Sequence, residues 1–468
     1  MSYVRQRTAP IREKRLGTLG AWYGSAGSLL REAAGGSLVP RIRTFAQDAA
    51  SDLTYALELL STWEDVAIVV HGPAGCAAGL RAGREARAPW LVTNIDERDS
   101  ILGGDARLRS AISAAHRRHA PRAIFVVSSP VVIINNDDID STTEAAREEL
   151  GIPVVPVYAD GFRSKIAATG FDVVAHGLLK HLVPRSGKPG EHINLLSLSE
   201  GRADVDGIRA LLAEAGIEAL PFPRFGRPDE APRTAGARLS VALNAAEAHY
   251  AGEALRADHA VPFLAPPAPV GVEGTARWLA AIGEALGRGE GMARLVAREK
   301  RRLEPRLADA AALRGRRVFI HLPPDHAFAF GRLAGELGLE VVGVKVPYLD
   351  PAHVAQLQDL AAGNDALPVL VGEGQPFEEI GLLRSSRPDL YLGRGLASMH
   401  AARLGIAALD VGGLAYLGFA GVENLLERIE RRLANTAFQD FLAEGETDPY
   451  TQAWRQKSAY WYIKHEVK

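Results

Sequence analysis

The chain has 468 residues, with 54 Lys and Arg against 56 Asp and Glu, 47 Gly, 27 Pro and a single Cys. Such a length predicts several domains with ample core, and a formal net charge of -2 gives no reason to expect nucleic acid or an anionic membrane surface as a partner. One cysteine excludes an intrachain disulfide and any metal site built from this chain's thiolates alone, so a reducing, cytoplasmic setting is expected. The first residues, MSYVRQRTAPIREKRLG, are basic with no apolar stretch behind them, which is not the pattern of a secretory signal. No apolar run approaches the roughly 18 residues of a membrane span.

In chain order, a short apolar run is followed by a Gly, Pro or polar break and then by a helical stretch. Val66–Val70 (VAIVV) runs into His71-Gly72-Pro73 and predicts a strand buried on both faces. Ile124–Val127, Val154–Val157, Ile193–Leu198, Val318–His321, Val341–Val346 and Val369–Val371 repeat the form. Between them lie amphipathic segments expected to be helical: Ile139–Leu150, Val205–Ala215 and Phe330–Leu337. Alternation of this kind predicts βαβ units, parallel sheets and right-handed crossovers.

Two stretches read as boundaries. Arg185–Glu191 is turn-rich, and Glu290–Arg317 is a charged, Ala-rich helical connection ending in a basic cluster. The expected organisation is an N-terminal α/β domain over 1–190, a second over 191–310, a third over 311–430 and a helical tail over 431–468 with the aromatics Trp454, Tyr460, Trp461 and Tyr462. Packing on a partner subunit is the expectation for that tail, because aromatics are enriched in interface cores.

The lone thiol lies in His71-Gly72-Pro73-Ala74-Gly75-Cys76, directly after a predicted strand. Gly72, Pro73 and Gly75 would build a turn whose backbone can approach another group closely, and Cys76 falls near a helix start, where the backbone dipole favours negative charge. A catalytic thiol would need a histidine such as His71, whereas a free Cys is ordinarily a small buried hydrophobe. If Cys76 binds metal, its co-ligands must come from another polypeptide.

Other segments carry weaker signals. They are Arg15–Ser25, Thr93–Glu97, Ile101–Leu108, Ser128–Ile139 and Asp160–Ser164. Gly103-Gly104-Asp105 is ordinarily a turn, and Asp137-Asp138 is expected to cap a helix rather than act as a carboxylate dyad. Arg163 could approach a cluster or an anionic ligand, or be solvated or salt-bridged. His321, His326 and His400 lack the spacing of a helical metal site and are expected to be structural or exposed. Gly393-Arg394-Gly395 reads as a strand-to-helix turn.

Taken in order, these segments resemble the nitrogenase component 1 superfamily. Its HGPxGC turn is similar to His71–Cys76. Its T(N/D)xxExDxxFGG, STCxxxxIGDDI and GFRG stretches are similar to Thr93–Gly104, Ser128–Ile139 and Gly161–Ser164. Pro388–Gly395 through Ile406, and Leu417–Gly421, are similar to the family's later strand and helix signatures. The resemblance implies an α/β chain of three Rossmann-like domains with mostly parallel sheets and a helical C-terminal tail.

The departures from the family pattern matter as much as the matches. The resemblance implies three cluster-ligating cysteines per subunit, yet the arm around Thr18–Tyr23 has none and the third position falls at Pro130, which cannot ligate metal. The positions that would hold the large active-site cofactor fall at Asn244 and Leu417. With these departures, the resemblance implies a β-type (K-type) subunit. It would give Cys76, with Gly72 and Gly75 beside it, to an interfacial iron–sulfur cluster, [4Fe–4S] or of the eight-iron P-cluster type. The implied partners are an α-type catalytic subunit in an α2β2 heterotetramer and a transient, ATP-dependent, homodimeric iron–sulfur reductase. This chain would then be a non-catalytic electron-transfer subunit of an oxidoreductase. Within the family the methylthio-alkane reductases fit best, followed by a cofactor-scaffold subunit; whether Thr18, Trp22 or Ser25 approaches the cluster is open. A reading of another class is a stand-alone α/β enzyme using an interdomain cleft, with Cys76 an ordinary core thiol.

Overall fold

Apolar runs ended by glycine, proline or a polar residue form fourteen strands among the described residues, from β1 (Ala21–Ser25) to β14 (Ala407–Asp410). The computed structural model describes residues 2–36, 38–40, 50–78, 85–395, 397–444 and 453. The chain divides into two compact units. The first comprises Met1–Arg15, Ala50–Val205 and Leu212–Pro266, and the second Leu16–Ala49, Asp206–Leu211 and Pro267–Lys468.

The first unit holds two four-stranded parallel sheets. In one, β2 (Val66–His71), β3 (Trp90–Val92), β4 (Ala123–Ser128) and β5 (Val154–Val157) lie in the order β3-β2-β4-β5. All six residues of β2 and of β4 are buried, as a parallel strand covered on both faces requires. Ile112, Ile124, Val126 and Leu108 pack with Ala67 and Val69 in its core, and each buried branched side chain contributes about 1.5–3 kcal/mol. The other sheet has the same topology: β6 (Ile193–Ser197), β7 (Ala219–Pro223), β8 (Ser240–Ala242) and β9 (Phe263–Leu264) in the order β7-β6-β8-β9. β7 was not expected from the sequence; Pro221 and Pro223 mask its strand signal, and they are tolerated because it is an edge strand. β3, β8 and β9 are too short to show a period.

The second unit is built on β10 (Arg317–His321), β11 (Glu340–Val346), β12 (Pro368–Gly372), β13 (Leu390–Gly393) and β14, in the order β1-β12-β11-β10-β13-β14. Those five run parallel, while β1 from the N-terminal arm pairs antiparallel with β12, Ala21 opposite Gly372. Trp22 of β1 is fully buried. The amphipathic segments form the helices Ile139–Leu150, Arg202–Glu214 and Pro324–Glu336. The last starts earlier than expected because Pro324 suits a first helical position, where its missing N–H costs nothing. The charged connection is the helix Gly289–Asp309. The C-terminal helical prediction is met by Gly418–Ala434 and Ala437–Ala443, while Trp454, Tyr460, Trp461 and Tyr462 lie outside the described residues.

Each sheet has a topological switch point, where successive crossovers turn to opposite sides and a crevice opens at the strands' carboxyl ends. These lie between β2 and β4, between β6 and β8, and between β10 and β13. They place His71 beside Ser128, Ser197 near Asn244, and His321 near Gly393 and Arg394.

Candidate functional site

The first switch point carries the only thiol of the chain. β2 ends at His71, Gly72 and Pro73 turn the chain, and the short helix Ala74–Ala78 holds Cys76 half-buried and free of any disulfide. The Cys76 N–H donates to the Pro73 carbonyl at 3.1 Å. Gly72 is required sterically: a Cβ there would lie 2.1 Å from Ser129 Oγ and 2.7 Å from Ser129 Cβ. Gly75 is different, because a Cβ there would meet nothing within 4 Å.

The neighbouring segments lock this turn. Thr93 Oγ1 accepts from the Gly72 N–H at 2.9 Å and lies 3.1 Å from His71 Nδ1. The Ser129 N–H donates to the His71 carbonyl at 2.9 Å, and the Ala74 N–H to Asn94 Oδ1 at 3.3 Å. His71 Nε2 lies 3.1 Å from Asp137 Oδ2, with both side chains buried. Burial holds the imidazole at a pKa of about 4 and raises the Asp137 carboxyl, with Asp105 adding to that rise, so both groups lean to their uncharged forms. Gly104 makes the pairing possible, since a Cβ there would stand 2.6 Å from Asp137 Oδ2 and 2.9 Å from His71 Cε1. A cavity of about 250 Å³ beside this pair is lined by Arg7, Asn136, Asp137, Tyr158, Asp160 and Arg163.

Asp137 and Asp138 have separate tasks. Asp138 caps the helix Ile139–Leu150 by accepting from the Ser141 N–H at 3.1 Å, as expected, whereas Asp137 turns inward to His71. Pro130 opens the helix Pro130–Ile134, and a Cβ on Gly161 (φ +72°) would lie 2.9 Å from its Cγ. Asp160 accepts from the Phe162 and Arg163 N–H groups at 3.3 and 2.9 Å. Arg163 lies 3.4 Å from Asp160 and is solvated. Burial, then the Asp160 charge, pushes Asp52 up to about 6.

The other candidates sit elsewhere. Asn244 is buried and caps the helix Ala245–His259, accepting from the Glu247 N–H at 3.1 Å. Leu417 is buried in a bridge with Val270. Thr18 bonds to Asp350 and Ser25 caps the helix Ala26–Ala34, both within the second unit. Gly395 and Gly412 donate backbone N–H groups to Asp410 at 3.2 and 2.8 Å, a strand-to-helix turn as read. His326 Nδ1 lies 2.8 Å from the Tyr416 hydroxyl.

His321 is not isolated. Glu379 Oε1 lies 2.8 Å from its Nδ1 and 2.6 Å from the Tyr391 hydroxyl, and Lys345 Nζ lies 2.6 Å from Glu379 Oε2. The available sequence signal was Lys345, a charge inside the apolar run of β11 that burial would penalise without a partner. No group of three or more His, Cys, Asp or Glu side chains that could hold a metal ion occurs among the described residues. With a single thiol in the chain, any iron–sulfur cluster held at Cys76 would take its remaining ligands from outside the chain. No helix among them is long and apolar enough to cross a membrane.

A parallel-sheet chain whose unique thiol follows a buried strand on a glycine turn matches a known class of redox protein. The description of nitrogenase component 1 type oxidoreductases fits residues 55–434, and the chain belongs to that family. It is 27% identical over 380 residues to the nitrogenase iron-molybdenum cofactor biosynthesis protein NifE of a Nostoc species, covering 78% of each chain. It is 25% identical over 424 residues to the nitrogenase molybdenum-iron protein alpha chain of Methanothermobacter marburgensis, covering 82% of this chain and 87% of that one. Among solved structures, nitrogenase Cp1 at pH 6.5 superposes with a TM-score of 0.73 at 18% identity, over 88% of this chain and 95% of that one, a likeness of fold.

Proposed function

We propose that this chain is one subunit of a nitrogenase-like oxidoreductase complex and that Cys76 gives a single thiolate to an iron–sulfur cluster completed by a partner subunit. The observation that carries this reading is a sole, half-exposed cysteine at a switch point, on a turn whose Gly72 admits no side chain. Iron–sulfur clusters are held by cysteine thiolates, and one thiolate demands co-ligands from outside the chain. The subunit would be of β-type beside an α-type catalytic subunit, as in an α2β2 assembly of the methylthio-alkane reductase kind. It would pass electrons from an ATP-dependent iron–sulfur reductase to a metallocluster held by the α-type chain. Pro130, Asn244 and Leu417 support this, because none of them supplies a thiolate or imidazole where the family pattern has a ligand.

A second reading, a cofactor-scaffold subunit, is favoured by the similarity to NifE. In both, the protein fixes the ligand orientation and tunes the cluster by burial and backbone hydrogen bonds. The test is iron and acid-labile sulfide in anaerobically purified protein, alone and co-purified with the products of neighbouring genes. Iron confined to the co-purified complex is expected; an iron-free chain that acquires no partner contradicts the proposal.

A further inference from the structure

The geometry points to a proton-accepting site at the carboxyl edge of the second unit's sheet, in which His321 Nε2 takes a proton from a ligand bearing an O–H or N–H group. His321 ends β10, the strand at which the order β12-β11-β10-β13-β14 reverses direction, where open parallel sheets bind ligands. Its side chain is 19% exposed, whereas those of Glu379 and Lys345 are each 1% exposed. Tyr391 is fully buried and stacks on Phe319, with ring centroids 5.8 Å apart. Of the four polar groups, the imidazole alone reaches solvent.

The array fixes which nitrogen carries the hydrogen. The Lys345 ammonium and the hydrogen bonds that Glu379 receives from Lys345 and His321 hold its carboxylate ionised against burial, and a carboxylate only accepts. Burial and the Glu379 charge keep Tyr391 protonated, so its one hydroxyl proton goes to Glu379 Oε1 at 2.6 Å. Nδ1 of His321 thus faces two acceptors, Glu379 Oε1 at 2.8 Å and the Tyr391 oxygen at 2.7 Å, and must itself be the donor. Burial, helped by Lys345 and His400 and opposed by Glu379, lowers the imidazole pKa, so the ring is neutral and its lone pair sits on Nε2. Asp410 acts in the same neighbourhood through Tyr391. Nε2 makes no hydrogen bond among the described residues, while Nδ1 is held twice.

The step balances without a redox partner. The ligand's O–H or N–H bond breaks, the proton passes to Nε2, and the electron pair stays on the ligand heteroatom. Glu379 then stabilises the imidazolium; it is a positioning residue that sets the tautomer and never touches the ligand. The inference is independent of Cys76.

Two measurements on the full chain test it, and neither needs iron or a partner. Diethylpyrocarbonate acylates only an unprotonated, accessible imidazole nitrogen, and adducts can be mapped by peptide mass with N-acetylhistidine as reference. An ordinary imidazole with a pKa near 6.5 is about nine-tenths protonated at pH 5.5. The rate at His321 relative to the reference is therefore expected to be higher at pH 5.5 than at pH 8, by up to about tenfold. Nitrogen-15 NMR of histidine-labelled protein should show the Nδ1–H tautomer, retained in Tyr391→Phe because Glu379 still accepts. His321→Asn keeps an N–H toward Glu379, serves as the assignment control and should remain folded. No adduct at His321, a pH profile parallel to the reference, or an Nε2–H tautomer would overturn the proposal.

Discussion

The switch points of the first and last sheets each carry a reactive side chain, Cys76 on the short helix beyond β2 and His321 at the end of β10, and their surroundings are opposite. Cys76 stands on a turn kept bare by glycine, with the polar groups nearby spent on holding the backbone: Thr93 on Gly72, Ser129 on His71. His321 stands on an array in which every polar atom is committed except one nitrogen. The first arrangement leaves coordination to be completed from outside the chain, and the second completes its own electrostatics and offers a lone pair. At the middle switch point Asn244 is used as a helix cap. One topology thus yields three crevices whose side chains differ.

The largest effect should come from removing the thiol. Cys76→Ala is expected to strip the co-purified complex of its iron, or of the fraction shared with this chain, while circular dichroism of the chain is unchanged. Next is Glu379→Leu, which strands Lys345 without its carboxylate at a fully buried position; about 3–5 kcal/mol of stability should be lost, read by denaturant unfolding.

The third prediction concerns pH. His71 falls from an ordinary 6.5 to about 4 on folding because burial disfavours its charged form. The unfolded chain therefore binds the extra proton between those values. The contribution is complete above pH 6.5 and fades as pH falls toward 4, by about 3 kcal/mol in all. His71→Gln should flatten that part of the stability profile, and an unchanged slope would remove His71 as its cause.

The glycines give the finest test. Gly72→Ala must displace Ser129 and should cost about 1–3 kcal/mol, the usual range for overpacking. Gly75→Ala meets nothing and lies in a helix, so stability should hold or rise by up to about 1 kcal/mol. If a cluster approaches that backbone, iron retention in the complex should nevertheless fall. Loss of iron without loss of stability would separate a functional glycine from a structural one.

The strands that could be read from sequence are those with a mostly apolar run, β2, β4, β5, β6 and β10 to β12, because a strand covered on both faces is mostly apolar, together with β13 through the family resemblance. Those that could not are short, proline-bearing or, like β1, defined by a partner far along the chain. At the site, the glycine turn and its flanking motifs were legible as a family resemblance. The inward turn of Asp137 was not, since Asn-Asn-Asp-Asp carries the same letters whether one aspartate caps or both do. The His321 array was equally hidden. Its members come from β10, β11, β13 and the helix Pro376–Ser386, and no local pattern joins them.

The most direct test of the central claim is the EPR spectrum of the reduced complex with Cys76→Ser in place of the native chain. Serine keeps the size of the side chain and exchanges sulfur for oxygen. If Cys76 ligates the cluster, the signal shifts or its midpoint potential moves while the complex remains assembled. A spectrum and potential identical to those of the native complex would show that the thiol is no ligand.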